Sequence, residues 1–202
     1  MRISRTSALI VLAVAFAPAF AAVSSAAPTD LNGGGDKEKK PMQEAFFAGG
    51  CFWGVEYWFD KAPGVTLAES GYMGGGAESP TYEQVCTGRT GHAEAVRIVF
   101  DPSKTTYEAL ARLFFEIHDP TQVNRQGPDI GQQYRSAVFY ANDEQRKSAE
   151  KLVRELEARG YKVATQIEPA GEFWKAEGYH QDYYDHKGST PYCHAKVSRF
   201  SP

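Results

Sequence analysis

A chain of 202 residues with a net charge of −3 and 42% hydrophobic residues is long enough for one sizeable core and lacks the basic excess of a nucleic-acid binder. Its 12 Phe, 11 Tyr and 3 Trp argue against disorder over the whole length, which needs few aromatic and apolar residues. Three cysteines are too few for a disulfide scaffold and cannot supply a four-cysteine zinc site. They leave a redox pair plus a spare, or one nucleophile with two bystanders.

The amino-terminal stretch reads as a targeting segment. Arg2 and Arg5 precede an apolar run from Ala8 to Phe20, followed by small residues with Ala19-Phe20-Ala21 and Ser24-Ser25-Ala26 as candidate cleavage motifs. A membrane-spanning helix needs about 20 apolar residues, and this run is shorter. A signal peptide over 1–26 is therefore expected, then a flexible linker over 27–41 rich in Gly, Lys and Glu, then one domain over 42–202. The expected location is exported, either periplasmic or extracellular, where an oxidising setting makes each cysteine more interesting.

Within the domain, Ala45-Phe46-Phe47-Ala48 is a short apolar run ended by Gly49-Gly50, as for a buried strand. Cys51 opens a segment with Phe52, Val55 and Phe59 at helical spacing, stopped by Pro63-Gly64. A strand is expected over Val65 to Tyr72, and another over Ala93 to Phe100, where two sets of residues alternate. Thr105-Thr106-Tyr107-Glu108 fits a capping box ahead of a helix whose apolar stripe is Leu110, Leu113, Phe114 and Ile117. Ala137-Val138-Phe139-Tyr140 reads as a strand. Ala149, Leu152, Val153 and Leu156 line a second helix that Gly160 can end. Lys162 to Glu168 reads as a last strand, and the Gly-, Tyr- and His-rich stretch from Pro169 onward as irregular. This alternation of strands and helices indicates a mixed α/β sandwich.

Cys51 carries the sharpest chemical signal. At a helix start the unpaired N–H groups and the positive end of the dipole stabilise a thiolate, and the glycines before it allow a tight bend. A small buried hydrophobe is the alternative, as for most free cysteines. Phe52 and Trp53 beside it suit an apolar pocket or ordinary core. Cys193, in Thr190-Pro191-Tyr192-Cys193-His194, could reach another sulfur or remain an inert thiol; Cys86 could equally be structural. Glu94 by position alone favours a solvated strand-edge charge over a general acid kept protonated by a poorly hydrated pocket. The five histidines are scattered, and no HExxH or CxxC motif occurs, so no metal site is expected. A non-enzymatic thiol module, or a cysteine–histidine hydrolase using His186 or His194, stands as a rival.

At Gly50-Cys51-Phe52-Trp53-Gly54 the chain resembles the peptide methionine sulfoxide reductases of the A type, specific for the S epimer. Gly71-Tyr72-Met73-Gly74-Gly75, Thr81 to Gly88 and Thr90 to Val96 follow in that family's order, as do His118 to Gln122, Asn124 to Gly127 and Asp129 to Ser136. The resemblance covers roughly residues 44 to 193. It implies a two-layer α/β sandwich with a ferredoxin-like core. It also implies that Cys51 attacks the sulfoxide sulfur and that Glu94 donates a proton to the departing oxygen. Tyr82 and Tyr134 would bind that oxygen, Phe52 and Trp53 would hold the methyl group, and Asp129 would line the site. Cys193 would convert the Cys51 sulfenic acid to a disulfide, and Cys86 would be a spectator. No further cysteine follows Cys193, so a single resolving thiol is expected. Electrons would come from a thioredoxin-like dithiol, with no cofactor. The expected partners are an oxidised protein or peptide methionine and that reductant, the enzyme acting as a monomer without stable membrane insertion, in repair of oxidised proteins.

Overall fold

The structure, a computed structural model, describes residues 41–201. The signal-peptide expectation and all but the last residue of the linker expectation lie outside the described residues.

Strand β1 (Gln43–Gly49) leads into helix α1 (Phe52–Asp60), then β2 (Val65–Met73), the short helix α2 (Tyr82–Cys86) and β3 (Ala93–Phe100). Helix α3 (Tyr107–Ile117) follows, then a two-residue hairpin pair β4 (Arg125–Gln126) and β5 (Asp129–Ile130), and β6 (Ser136–Tyr140). The chain continues through α4 (Asp143–Ala158), β7 (Gln166–Pro169), β8 (Trp174–Lys175) and α5 (Tyr183–Lys187). The main sheet has the order β7-β6-β1-β3-β2-β8. Its inner four strands β6-β1-β3-β2 pair antiparallel, with α1 and α3 as crossovers, which is a ferredoxin-like core. Strand β7 joins β6 in parallel, a pairing that requires the long crossover supplied by α4.

Period-two alternation decides which residues meet the helices. Ala45, Phe47, Val96, Ile98, Phe100 and Val138 form one cluster with Val55, Phe59, Phe114 and Leu152 of the helices. Phe46, Ala48, Ala93, Ala95, Ala137 and Phe139 form a thinner cluster on the opposite face, partly covered by Phe173. Phe47 is fully buried, with stacked rings at 5.5 Å (Phe59) and 4.8 Å (Phe114). Truncating it to Ala costs about 3–5 kcal/mol, the usual range for a buried Phe.

Three local expectations need correction. Helix α3 is capped by Thr106, whose side chain accepts from the Ala109 N–H at 3.2 Å. Glu108 does not close a box on Thr105; it is drawn to Arg112 and Lys151 at 3.0 Å each. A capping box does form at Thr81 and Gln84, ahead of α2, a helix too short for apolar periodicity to reveal. The strand expected from Lys162 is paired only from Gln166 to Pro169. The tail is also more ordered than expected, with β8, a 3-10 turn at Gly178–His180, and α5. Long-range side-chain bonds hold it: Gln181 accepts from Ser70 N–H at 3.0 Å, and Glu56 from Asp182 N–H at 3.1 Å.

Candidate active site

The site is built where β1 turns into α1. Gly50 makes that turn with φ +97, and a Cβ there would lie 2.5 Å from Gln126 Cβ, so both the backbone angle and the space demand glycine. Cys51 is then the N-cap residue of α1, 7% exposed, with no capping bond from its side chain. The first N–H of the helix, that of Phe52, donates to Glu94 Oε2 at 3.0 Å.

Glu94 shares a face of β3 with Val96, Ile98 and Phe100, and β3 lies between β1 and β2. Its register therefore carries the carboxyl into the interior, 2% exposed. The solvated strand-edge position favoured by placement alone is overturned, because β3 is not an edge. Burial, with the nearby Asp129 charge, pushes the Glu94 carboxyl up to about 8 against the pull of the Phe52 N–H. At neutral pH the group is a neutral acid. With Oε2 taken up by the Phe52 N–H, Oε1 is the oxygen left free to donate the proton.

The Cys51 thiol runs opposite to the helix-dipole expectation. Burial raises it well above the ordinary thiol range, and the fields of Glu94, Cys193 and Asp129 add to the rise, opposed by the Trp53 N–H. Desolvation outweighs the helix start here, and the Phe52 N–H is already engaged by Glu94. The resting sulfur therefore keeps its proton, so deprotonation must accompany the arrival of an electrophile.

The other expected residues converge on this pair. Tyr82 opens α2, its backbone N–H held by Glu177 Oε1 at 2.9 Å. Tyr134 ends the 3-10 turn Gln132–Tyr134. Both hydroxyls are half-buried and raised, first by burial; Glu94 and Cys51 face both, and Tyr134 also feels Tyr82 and Asp129. Asp129 on β5 accepts the Tyr192 hydroxyl at 3.0 and 3.1 Å. Cys193 is half-buried and its thiol is pushed up to about 12 by burial and by Asp129. Cys86 is exposed, one turn after Tyr82 with its thiol against that hydroxyl. Phe52 is 1% exposed, its ring 4.9 Å from His180 and 5.9 Å from Tyr72. Trp53 stacks on Tyr183 at 3.7 Å and donates its indole N–H to His180 Nδ1 at 3.0 Å. Cys51, Glu94, Tyr82, Tyr134, Asp129 and Cys193 thus form one cluster drawn from distant parts of the chain.

Sequence reasoning missed the supports. Glu177, which also accepts the Tyr72 hydroxyl at 2.8 Å, and His180 lie in the stretch read as irregular. From the sequence His194 stands out only as a rival base for Cys51. Its Nδ1 instead faces Cys193 Sγ at 3.0 Å and its Nε2 meets the Gly49 carbonyl at 2.8 Å. Among the described residues no histidine hydrogen-bonds Cys51, which removes the geometric basis of the hydrolase reading. Among the same residues no group of three His, Cys, Asp or Glu is placed to hold a metal ion.

The sequence profile of the family "Peptide methionine sulfoxide reductase" matches residues 43–201. The chain belongs to the peptide methionine sulfoxide reductase family. It is 54% identical over 146 residues to the peptide methionine sulfoxide reductase MsrA of Methanothermobacter thermautotrophicus, covering 71% of this chain and 86% of that one. The reduced form of Mxr1 from Saccharomyces cerevisiae is structurally similar, with a TM-score of 0.73 and 36% identity, over 77% of this chain and 92% of Mxr1. A structure of Mxr1 in complex with Trx2 matches with a TM-score of 0.53 and 26% identity, over 77% and 89% of the two chains. The protein is accordingly an oxidoreductase that reduces the S-sulfoxide of methionine by thiol chemistry.

Proposed function

We propose that Cys51 is the attacking thiol, Glu94 the proton donor and Cys193 the resolving thiol of this reductase. The observation that carries the assignment is the buried Glu94 carboxyl held against the first N–H of α1, next to the cysteine at that helix start. In the first step Cys51 sulfur bonds to the sulfoxide sulfur. Glu94 gives its proton to the sulfoxide oxygen and regains the thiol proton. Tyr82 and Tyr134 steady that oxygen as charge develops on it. The protonated oxygen then passes to the Cys51 sulfur as the substrate S–O bond and the transient S–S bond break. Methionine leaves and Cys51 is a sulfenic acid: its sulfur is oxidised by two electrons and the substrate sulfur is reduced by two. Phe52 and Trp53 form the apolar wall for the methyl group, and Asp129 borders the entrance.

In the second step the Cys193 sulfur displaces the oxygen as water and forms a Cys51–Cys193 disulfide. The match to the Mxr1–Trx2 complex supports a thioredoxin-like dithiol as the agent that reopens it. The oxidant is consumed and electrons are delivered without any cofactor in this scheme, and Cys86 takes no part. The protein works as a monomer. Arg2, Arg5 and the apolar run from Ala8 to Phe20 support export through a cleaved signal peptide over 1–26, with 27–41 as linker. An intact amino terminus on cytosolic protein overturns export.

The reaction assignment is tested with a peptide carrying methionine S-sulfoxide and a dithiol reductant. Cys51→Ser should abolish methionine formation. Cys193→Ser should release one methionine per protein and then stop with thioredoxin as reductant. Sustained turnover by Cys193→Ser would remove it as resolver.

A further inference from the structure

Beside the resolving thiol, His194 has a bonding pattern that the reaction scheme above does not use. Its ring is buried, 3% exposed, and packed over Gly54 of α1, where any Cβ would collide with it. Nε2 lies 2.8 Å from the Gly49 carbonyl oxygen, a group that can only accept, so Nε2 must carry the proton. Nδ1 then presents a lone pair, and 3.0 Å from it is the Cys193 sulfur. The thiol can only be the donor in that contact. A base held in one tautomer by a second hydrogen bond and aimed at a sulfur is the arrangement that activates a nucleophile.

We propose that His194 is the general base of the disulfide-forming step, taking the Cys193 thiol proton on Nδ1 as the Cys193 sulfur attacks Cys51. This inference rests on the reading of Cys193 as resolver. The balance is complete within the site. The Cys193 S–H bond breaks and its proton passes to His194. The Cys193 sulfur gives an electron pair to Cys51, and the S–O bond of the sulfenic acid breaks. The leaving hydroxide takes up the proton as water. Cys193 is oxidised, Cys51 is reduced, and no outside reactant enters.

The surroundings explain why a base is needed. Burial is the first cause that opposes a free thiolate on Cys193, and Asp129 adds to it by its field and as a second acceptor for the thiol proton, which His194 has to draw away. His194 faces Asp129 from the β4–β5 hairpin and His118 from the end of α3, with the Gly49 carbonyl from β1. Burial keeps the ring unprotonated but lowers its basicity, while the Gly49 hydrogen bond and Asp129 act in the opposite sense and favour the imidazolium once it forms.

The test separates the two half-reactions by rapid quench with excess sulfoxide and no reductant. In His194→Gln the first methionine should form at full yield, which also shows that the variant is folded. Conversion of the sulfenic acid, trapped with a dimedone probe, to disulfide should slow about 10²-fold at pH 7, within the usual range for loss of a general base. The deficit relative to the unsubstituted protein should shrink by about tenfold per pH unit between 7 and 9, as the thiol ionises unaided. A purely structural role gives a deficit independent of pH, and that result, or no deficit, overturns the proposal. If His194→Gln yields no methionine, nitrogen NMR of the reduced protein decides: a proton on Nε2 supports the proposal and one on Nδ1 overturns it. Failure of Cys193→Ser to accumulate the sulfenic acid would instead strike the resolver reading itself.

Discussion

The two sulfurs that the proposed reaction brings together are held in very different ways. Cys51 sits in a cradle of regular structure, between β1 and α1, with Glu94 on an interior strand of the sheet. Cys193 rides on a strap, residues 189–201, that belongs to neither helix nor sheet. Its polar anchors are few: Tyr192 to both Asp129 oxygens, His194 to Gly49, and the Trp58 indole to the His194 carbonyl at 3.2 Å. Val197 N–H reaches the Glu116 carbonyl at 2.7 Å, and Arg159 holds the Phe200 and Ser201 carbonyls at 2.8 and 2.7 Å. Oxygen transfer needs fixed geometry and receives it from sheet register. Disulfide closure needs a thiol that can advance, and segments held by few contacts move at least cost.

The largest effect that sharpens this contrast should come from the cradle. Glu94→Gln is expected to slow methionine formation by about 10²–10⁴-fold, the usual worth of a general acid. Because the carboxyl is raised to about 8, methionine formation by the unsubstituted protein should fall as pH rises through that value. Stability follows the same sign. A carboxyl raised on folding favours the folded state fully below its unfolded value of 4.5 and loses that advantage as pH climbs to about 8. Glu94→Gln should therefore resist urea better than the unsubstituted protein at pH 8 to 9 but not at pH 4. Glu56, also raised to about 8 by burial, leaves part of the pH dependence in place. No gain at high pH would mean that folding does not raise the Glu94 carboxyl.

Gly54→Ala should act on the strap alone. A methyl group there would push the His194 ring away, and we expect disulfide closure to slow by about tenfold while the methionine burst survives. Equal losses in both steps would break the separation between cradle and strap. Tyr192→Phe should be the mildest. It removes an exposed contact to Asp129 with a net worth of about 0.5–1.5 kcal/mol, so closure should slow no more than several-fold by rapid quench. A greater loss than in Gly54→Ala would place the strap's main anchor on the hairpin.

Elements with their own periodicity were readable in advance. β3, α1, α3 and α4 each bury residues whose spacing can be seen in the chain, β1 shows as a continuous apolar run, and Cys51 after two glycines marks the helix start. Glu94 was harder. Its alternation with Val96 and Ile98 carried the burial, but only the strand order shows that β3 is interior. The tail was least legible, because α5 and the strap are stabilised by partners such as Glu56 and Gly49 that lie far away in sequence and leave no local pattern. The motif resemblance supplied Tyr82, Tyr134 and Asp129, which spacing alone would not have singled out.

The strap's anchors also bear on the thermodynamics of the redox cycle. A bond between residues 51 and 193 would tie an unfolded chain into a loop spanning nearly the whole domain. In the chain-entropy account that restriction destabilises the unfolded state by about 5 kcal/mol. The native state, whose ends are already pinned together, loses little freedom by comparison. The protein would therefore alternate in each turnover between a more and a less denaturation-resistant form. By the same cycle, folding makes the disulfide harder to reduce than it is in the unfolded chain, and the reductant must have a reducing potential low enough to meet that added demand.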